Sequence, residues 1–486
     1  MNLSNIENLK QYKHIHLIGI GGISMSGIAE MLHNWGIFVT GSDCAKSKIT
    51  DRLASHGIFV SIGSNTNLVE KSDFVIYSAA IKQDDPELIC AKTNNIPIVE
   101  RADFLGFLTR IYDNTIGISG THGKTTTTSM ISLCFLEAGL DPSIQVGAML
   151  KDIGGNYRVG NSDFFILEAC EYVESFLKFS PQSAVVTNID NDHLDYFKTF
   201  DNIRSAFSKY VNLLPKDGFL VINADDPDCI DLRKNTHAKS VTFGIRNDRA
   251  NFVGRNIVYD KNGFPKFDVY RNNSYFGEFK LSVPGLHNVY NALACIAMCS
   301  SYGISKQILK TVLAKFTGAS RRFEYVGSFG NIDVYDDYAH HPSEISATAK
   351  AMKNKSYRQS WVVFQPHTYS RTKELLSDFA EALLDFDNII ITDIYAAREQ
   401  NTYGISSKNL VNKISDLGRN ALYISDFDDI VKYIKGHACP NDIILTIGAG
   451  TVFEVRKKII KLETIQTQEF MVLVSVLFLC HSKFLL

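Results

Sequence analysis

Gly120-Thr121-His122-Gly123-Lys124-Thr125-Thr126 sits between an apolar run at 115–119 and a helical pattern in which Met130, Ile131, Leu133, Cys134 and Leu136 are apolar and Gly139 is a stop. Strand, glycine loop, Lys-Thr and helix are the parts that hold a nucleoside triphosphate. Glycines let backbone N–H groups approach phosphate oxygens, and the helix N-terminus adds a favourable dipole. Lys124 is expected on the β- and γ-phosphates and the Thr125 hydroxyl on Mg²⁺. The common form of such a loop is G-x-x-x-x-G-K-[ST]. Here Ile118 stands where the first glycine would be and Gly120 falls three residues before Gly123, so the loop is a variant. The competing reading is a glycine turn followed by a surface lysine. Four threonines in a row, 125–128, argue against it, because β-branched residues start a helix poorly unless their hydroxyls are needed.

Two neighbouring apolar runs end in acids or a histidine. The run at 164–167 leads into Glu168-Ala169-Cys170-Glu171, and the run at 184–187 into Asn188-Ile189-Asp190-Asn191-Asp192-His193-Leu194-Asp195. In an open parallel sheet, ligands gather at the carboxyl ends of the strands. An acid placed there is how a second Mg²⁺ ligand is presented. Taken singly, Glu168 and Glu171 read equally well as acids at a helix N-terminus, and the Asp/His cluster as a capped turn. Beside a phosphate loop, a metal site is the expectation, with the Thr125 hydroxyl, an acid from 168–171 and His193 as candidate ligands.

A second glycine loop lies near the start of the chain. Gly19-Ile20-Gly21-Gly22-Ile23-Ser24 follows the pattern G-x-G-x-x-G, with Ser24 in place of the third glycine. Gly41-Ser42-Asp43 ends the next strand, where a ribose-binding acid belongs. Alone, this would suggest a nicotinamide-dependent oxidoreductase. With the loop at 120–126 it implies two phosphorylated ligands in two blocks, hence a transferase or ligase that uses ATP on a nucleotide-linked substrate.

The 486 residues, at ~150 per domain, make roughly three domains. Short β-rich runs separated by helix-length segments recur in three blocks, an α/β pattern. They are at 14–18, 37–40, 58–60, 74–77 and 96–99; at 115–119, 164–167, 184–187 and 219–222; and at 332–335, 361–364, 389–392 and 443–447. Most are continuously apolar, as parallel strands covered on both faces are. Joints near 111–114 and 317–322 divide the chain into 1–112, 113–319 and 320–465, with an apolar tail at 466–486 of unknown role. Alternation and glycine breakers at 247–283 suggest a small antiparallel insert. The tail run at 470–480 is eleven residues, too short for a membrane helix of ~20.

Lys+Arg number 50 against 52 Asp+Glu, so neither a nucleic-acid coat nor a membrane-surface role is expected. Nine scattered cysteines without a C-x-x-C pair fit reduced thiols in a cytoplasmic protein better than disulfides or a zinc site. No apolar signal core follows the N-terminus, so secretion is not expected.

Together the segments 19–27, 120–126 and 188–195, with Asp336-Asp337-Tyr338-Ala339-His340-His341-Pro342, resemble the Mur ligases, and within them the alanine-adding branch. The likeness runs from about residue 14 to about residue 451, in the family's motif order. It implies a Rossmann-like UDP-binding domain, a central P-loop ATPase-like domain and a C-terminal Rossmann-like domain. It implies ATP and Mg²⁺ as cofactors, and UDP-N-acetylmuramate, L-alanine and ATP as partners in peptidoglycan precursor synthesis, with a homodimer left open.

By position, the resemblance places Gly120, Thr121, His122, Gly123, Lys124, Thr125 and Thr126 on ATP, with His287 and Asn288 on the adenine, Arg322 on the terminal phosphate and Asp337 holding ATP from the third block. Glu168 and His193 match the family's metal residues. Gly21, Gly22, Ser42, Asp43 and Ser78 match the UDP site. Lys124, His193, Arg322 and Arg371 are the expected catalytic groups, with Tyr338 and His341 weaker candidates near the reacting carboxylate. Phe207 falls where many relatives carry a carbamylated lysine, with Lys209 two residues on, which agrees with the alanine-adding branch. The alternatives are a ligase that recycles a whole peptide onto the same sugar nucleotide, folate polyglutamylation, and a non-catalytic P-loop regulator.

Overall fold

The computed structural model describes residue 9, residues 11–397 and residues 399–460. The apolar run at 470–480 lies outside them. Three sheets follow one another along the chain. The first holds β1 (His14–Ile18), β2 (Phe38–Asp43), β3 (Phe59–Ile62), β4 (Phe74–Tyr77) and β5 (Ile98–Glu100), all parallel, in the order β3-β2-β1-β4-β5. The order reverses between β1 and β4, which opens a crevice at their carboxyl ends.

The second sheet has ten strands: β6 (Asn114–Ser119), β7 (Ser143–Leu150), β8 (Gly155–Arg158), β9 (Phe164–Glu168), β10 (Ser183–Val186), β11 (Phe219–Asn223), β12 (Lys239–Gly244), β13 (Phe252–Tyr259), β14 (Pro265–Arg271) and β15 (Ser274–Lys280). β6 lies between β9 and β10, parallel to both, and all three stop at one edge. The segment expected as an antiparallel insert extends this sheet: β13 pairs parallel to β12, and β14 and β15 form an antiparallel hairpin beyond it. The third sheet holds β16 (Glu324–Phe329), β17 (Ile332–Asp337), β18 (Ser360–Phe364), β19 (Asn388–Ile391), β20 (Ala421–Tyr423) and β21 (Ile443–Ile447) in the order β16-β17-β21-β18-β19-β20. Only the β16–β17 pairing in it is antiparallel.

β7, β8, β12, β16 and β20 have no counterpart among the apolar runs. β7 and β16 are interrupted by glycine and polar residues, and β20 has three residues. Neighbouring strands supply the order that their own sequences do not.

The chain forms two compact units, one with the first two sheets and one with the third, to which 259–264 and 283–286 also belong. The first two sheets share one continuous apolar core, which runs from Leu9 to Ala238. The helix Arg101–Ile111 buries Phe104, Phe107 and Leu108 in that core, together with Phe176 and Phe179. A Cβ on Gly106 would lie 2.3 Å from the Lys178 carbonyl oxygen, so glycine sets this close approach. Among the described residues eight cysteines are free thiols, and Cys134, Cys295 and Cys299 pack side by side in the core. No helix among the described residues is long and apolar enough to cross a membrane.

Candidate active site

β6 ends at Ser119, and the helix Lys124–Glu137 begins one short loop later. Gly120 and Gly123 have φ of 127° and 85°, which favours glycine at both. Space demands it too: a Cβ on Gly120 would meet Thr187 Oγ1 at 2.1 Å, and one on Gly123 would meet Asn291 Oδ1 at 2.4 Å. The turn after β10 clamps the loop from the side. Thr121 N donates to Asn188 O (3.0 Å), His122 N to Asn188 Oδ1 (2.8 Å) and Thr187 Oγ1 to His122 O (2.6 Å). Asp190 N donates to Thr121 Oγ1 at 2.8 Å, and the His122 ring meets Asp190 Oδ2 at 3.0 Å.

Lys124 Nζ donates to Gly120 O (2.5 Å) and Thr121 O (3.0 Å) and lies 3.0 and 2.9 Å from the two carboxylate oxygens of Glu171. Burial works against the charge on this ammonium, but Glu171 more than offsets it, so its pKa stands above the usual lysine value. Of the four threonines, two serve the fold: Thr127 Oγ1 donates to Asn291 Oδ1 (3.2 Å) and Thr128 Oγ1 to Lys124 O (2.8 Å).

Glu168 closes β9, and its Oε1 accepts from Gly147 N at 2.5 Å. His193 has φ 58° and caps the short helix Leu194–Phe197. Its Nε2 lies 3.9 Å from Glu171 Oε1 and 3.8 Å from Asp192 Oδ2, and its ring lies 4.6 Å from that of Tyr172. Sequence reasoning named Glu168 as the functional acid and left Glu171 as one of a pair. In the structure Glu171 is the acid that binds Lys124 and faces His193. An acid three residues after a strand-end acid, in the block of the glycine loop, was the available signal.

Asn288 and Asn291 lie in the first two turns of the helix Leu286–Ser301, and Asn291 Nδ2 donates to Asn288 Oδ1 at 3.1 Å. Through Thr127 this pair ties the expected adenine motif to the helix of the phosphate loop. Phe207 is fully buried, edge-on to Phe176, and Lys209 pairs instead with Glu174 at 3.1 Å.

In the first sheet the expected UDP residues gather at the carboxyl ends of β1, β2 and β4. Gly21 N donates to Asp43 Oδ2 at 2.9 Å, and Gly19 N and Ile20 N donate to Ser42 O. Ser78 Cβ lies 3.3 Å from where a Gly19 Cβ would be. The Ser42 hydroxyl donates inward to Glu87 Oε2 at 2.5 Å. Glu87, which sequence reasoning missed, is 1% exposed and also takes Asn65 N and the buried His16 ring. Ser24, the departure from the glycine pattern, accepts from Gln145 Nε2 at 2.6 Å, while Asn156 Nδ2 donates to Ile23 O. The serine thus fastens the first glycine loop to β7.

In the unit of the third sheet, Asp336 and Asp337 end β17 and face opposite sides, as strand neighbours do. Asp336 takes Arg321 (2.9 Å) and Thr446, and Arg321 is further spent on Gly448 O. Asp337 accepts from Thr348 Oγ1 (2.8 Å) and Ala339 N (2.9 Å). Burial pushes its pKa up to about 6, against the pull of Arg322. Arg322 lies over the Tyr338 ring and 3.8 Å from Glu344. Arg371 Nη1 lies 3.3 Å from His367 Nδ1, and His341 caps the helix Pro342–Met352.

Three family models match in series: the Mur ligase family catalytic domain over 14–112, the Mur ligase middle domain over 118–299 and the Mur ligase glutamate ligase domain over 321–450. The chain belongs to the Mur ligase family. Mur ligases are ATP-dependent ligases, and this chain is one of them. This Mur ligase is 48% identical to the UDP-N-acetylmuramate–L-alanine ligase of Acetivibrio thermocellus, over 95% of the chain and 98% of the relative. It is 47% identical to the enzyme of that name from Caldanaerobacter subterraneus, over 93% and 98%. Among solved structures, the UDP-N-acetylmuramate-alanine ligase of Thermotoga maritima superposes with a TM-score of 0.81 at 29% identity, over 94% of this chain and all of that one. A murein peptide ligase of Psychrobacter arcticus has the same fold, with a TM-score of 0.69 at 24% identity over 92% and 98%.

Proposed function

We propose that this Mur ligase joins L-alanine to the lactyl carboxylate of UDP-N-acetylmuramate at the expense of ATP, giving UDP-N-acetylmuramoyl-L-alanine, ADP and phosphate. What carries the reading is Lys124, held at the mouth of a glycine loop on the carboxyl edge of β6 beside Glu171 and His193, in a chain so similar over its length to ligases of that name.

A carboxylate does not condense directly with an amine, because oxide is too poor a leaving group. The lactyl carboxylate attacks the γ-phosphorus, the bond to ADP breaks, and an acyl phosphate forms. The alanine amine then attacks the acyl carbon, phosphate leaves and the amine gives up a proton. The phosphoryl transfer needs positive charge on the equatorial oxygens. In this reading Lys124 and Arg322 supply it, the N–H groups of 120–126 bind the phosphates, and His287 and Asn288 take the adenine. Asp337 holds the nucleotide and Arg371 the substrate carboxylate. Gly21, Gly22, Ser42, Asp43 and Ser78 take the UDP moiety, with Ser42 acting through its backbone since its hydroxyl is bound to Glu87. Residues 1–112, 113–319 and 320–465 are proposed as the UDP, ATP and amino-acid domains, in the cytoplasm.

The Thr125 hydroxyl and the Glu168 carboxylate are hard oxygen donors of the kind Mg²⁺ takes, with the His193 imidazole a third donor. Bound there, Mg²⁺ would neutralise phosphate charge.

The test is ADP release by the purified protein with UDP-N-acetylmuramate and each amino acid in turn. L-Alanine should give the fastest turnover, EDTA should stop it, and Mg²⁺ should restore it. Turnover only with a peptide would favour the recycling ligase and sink this reading.

A further inference from the structure

An ammonium has three N–H bonds. The structure surrounds Lys124 Nζ with four oxygens, from Gly120, Thr121 and both arms of Glu171, so its donors are all spent. The Glu171 side chain is 2% exposed and that of Lys124 16%, so the attraction is little screened. The backbone behind the carboxylate is constrained: Val173 and Glu174 have φ of 50° and 55°, and a β-branched residue takes that conformation only when its surroundings impose it. The carboxylate is held, and the long lysine is the partner that can move.

We propose that Glu171 is the residue that positions Lys124, and that the phosphates of a nucleotide bind by taking the ammonium away from this carboxylate. The proposal rests on reading 120–126 as an ATP loop. Exchange then works in both directions. ATP, with its γ-phosphate, competes well for Lys124. Once that phosphoryl group has been transferred, ADP competes less well, Glu171 reclaims the lysine, and product release is favoured. Glu171 is thus a positioning residue whose charge opposes nucleotide binding and speeds turnover.

This fixes the sign of a mutational effect. Glu171→Gln keeps the shape and removes the charge, so the Kd for ADP, titrated calorimetrically into the full chain with Mg²⁺, should fall roughly tenfold, the order expected of one charge several ångströms away in a partly buried site. The Kd for an unhydrolysable ATP analogue should fall less. Both kcat and the KM for ATP should fall together, as slow product release requires. Glu171→Asp keeps the charge at shorter reach and should lie between wild type and Glu171→Gln, so either variant decides the sign if the other does not fold. A carboxylate that served only the fold would give the opposite result, unchanged or weaker binding with a lower melting temperature, and that outcome overturns the proposal. Absence of nucleotide binding by the wild-type chain would instead overturn the reading of the loop itself.

Discussion

The α-carbon of Gly123 faces the side-chain amide of Asn291 so closely that a Cβ there would lie 2.4 Å from Oδ1. The phosphate loop and the helix that carries the expected adenine motif are therefore fitted to each other at a point where any side chain would part them. Gly123→Ala should destabilise the protein by about 1–2 kcal/mol from backbone strain at φ 85°, plus the clash. Adding Asn291→Ala removes the clash and leaves the strain, so thermal melts of the double variant should recover only part of the loss.

Lys124→Met should abolish alanine-dependent ADP release. It also strands the buried Glu171 carboxylate, a loss of roughly 3 kcal/mol. In the double variant with Glu171→Gln, chemical denaturation should show most of the stability regained while turnover stays lost. Retained turnover in Lys124→Met would refute the role given to the lysine.

Asp337 is an acid whose folded pKa, about 6, lies above its free value. Its neutral form is the one the fold favours, so stability falls as pH rises from the free aspartate range through about 6 and stays lowered above that. Asp337→Asn removes this cost. Its melting temperature should exceed that of the wild type at pH 7.5 and match it near pH 4, where the wild-type carboxyl is neutral as well, and ligase turnover at pH 7.5 should fall because the charged carboxylate that holds the nucleotide is gone. A wild-type-like melting profile across that range would contradict the assignment.

Glu87 has the opposite sign. Burial tends to raise its pKa, but the bonds from His16, Ser42 and Asn65 win and lower it. Its contribution is complete above the ordinary glutamate range and lost as pH falls through the lowered folded value. Glu87→Gln should cost about 1–3 kcal/mol at neutral pH, and the gap in unfolding free energy should close in acid.

Phe207→Ala should cost about 3–5 kcal/mol in denaturant melts, because the ring fills the core against Phe176. Phe207→Lys should fold worse still. A folded lysine variant would show that this position tolerates a charge.

The central parallel strands of each sheet were legible because each is short, apolar on both faces and followed by a turn. The strand, glycine loop and helix at 114–137 were legible because these parts are contiguous and the turn between them demands glycines. β7 and β16 were not, since their sequences are too polar or glycine-rich to read as buried strands. Of the candidate site, the local motifs at 120–126 and 188–195 could be read as sites, whereas Ser24 looked like a defect in a glycine loop until its bond to Gln145 showed what it fastens.

The amino-acid sequence alone determined the α/β class, the order of the three blocks, the glycine loop at 120–126 between strand and helix, and the resemblance to the Mur ligases. Those signals lie in adjacent residues, where periodicity and turn chemistry act. Only the tertiary structure decided that Glu171 holds Lys124, that Asp336 is buried for the fold while Asp337 faces the other side, and that the first two sheets share a core. Such choices depend on which distant side chains meet once strands are in register, and burial then raises the energy of every charge left without a partner.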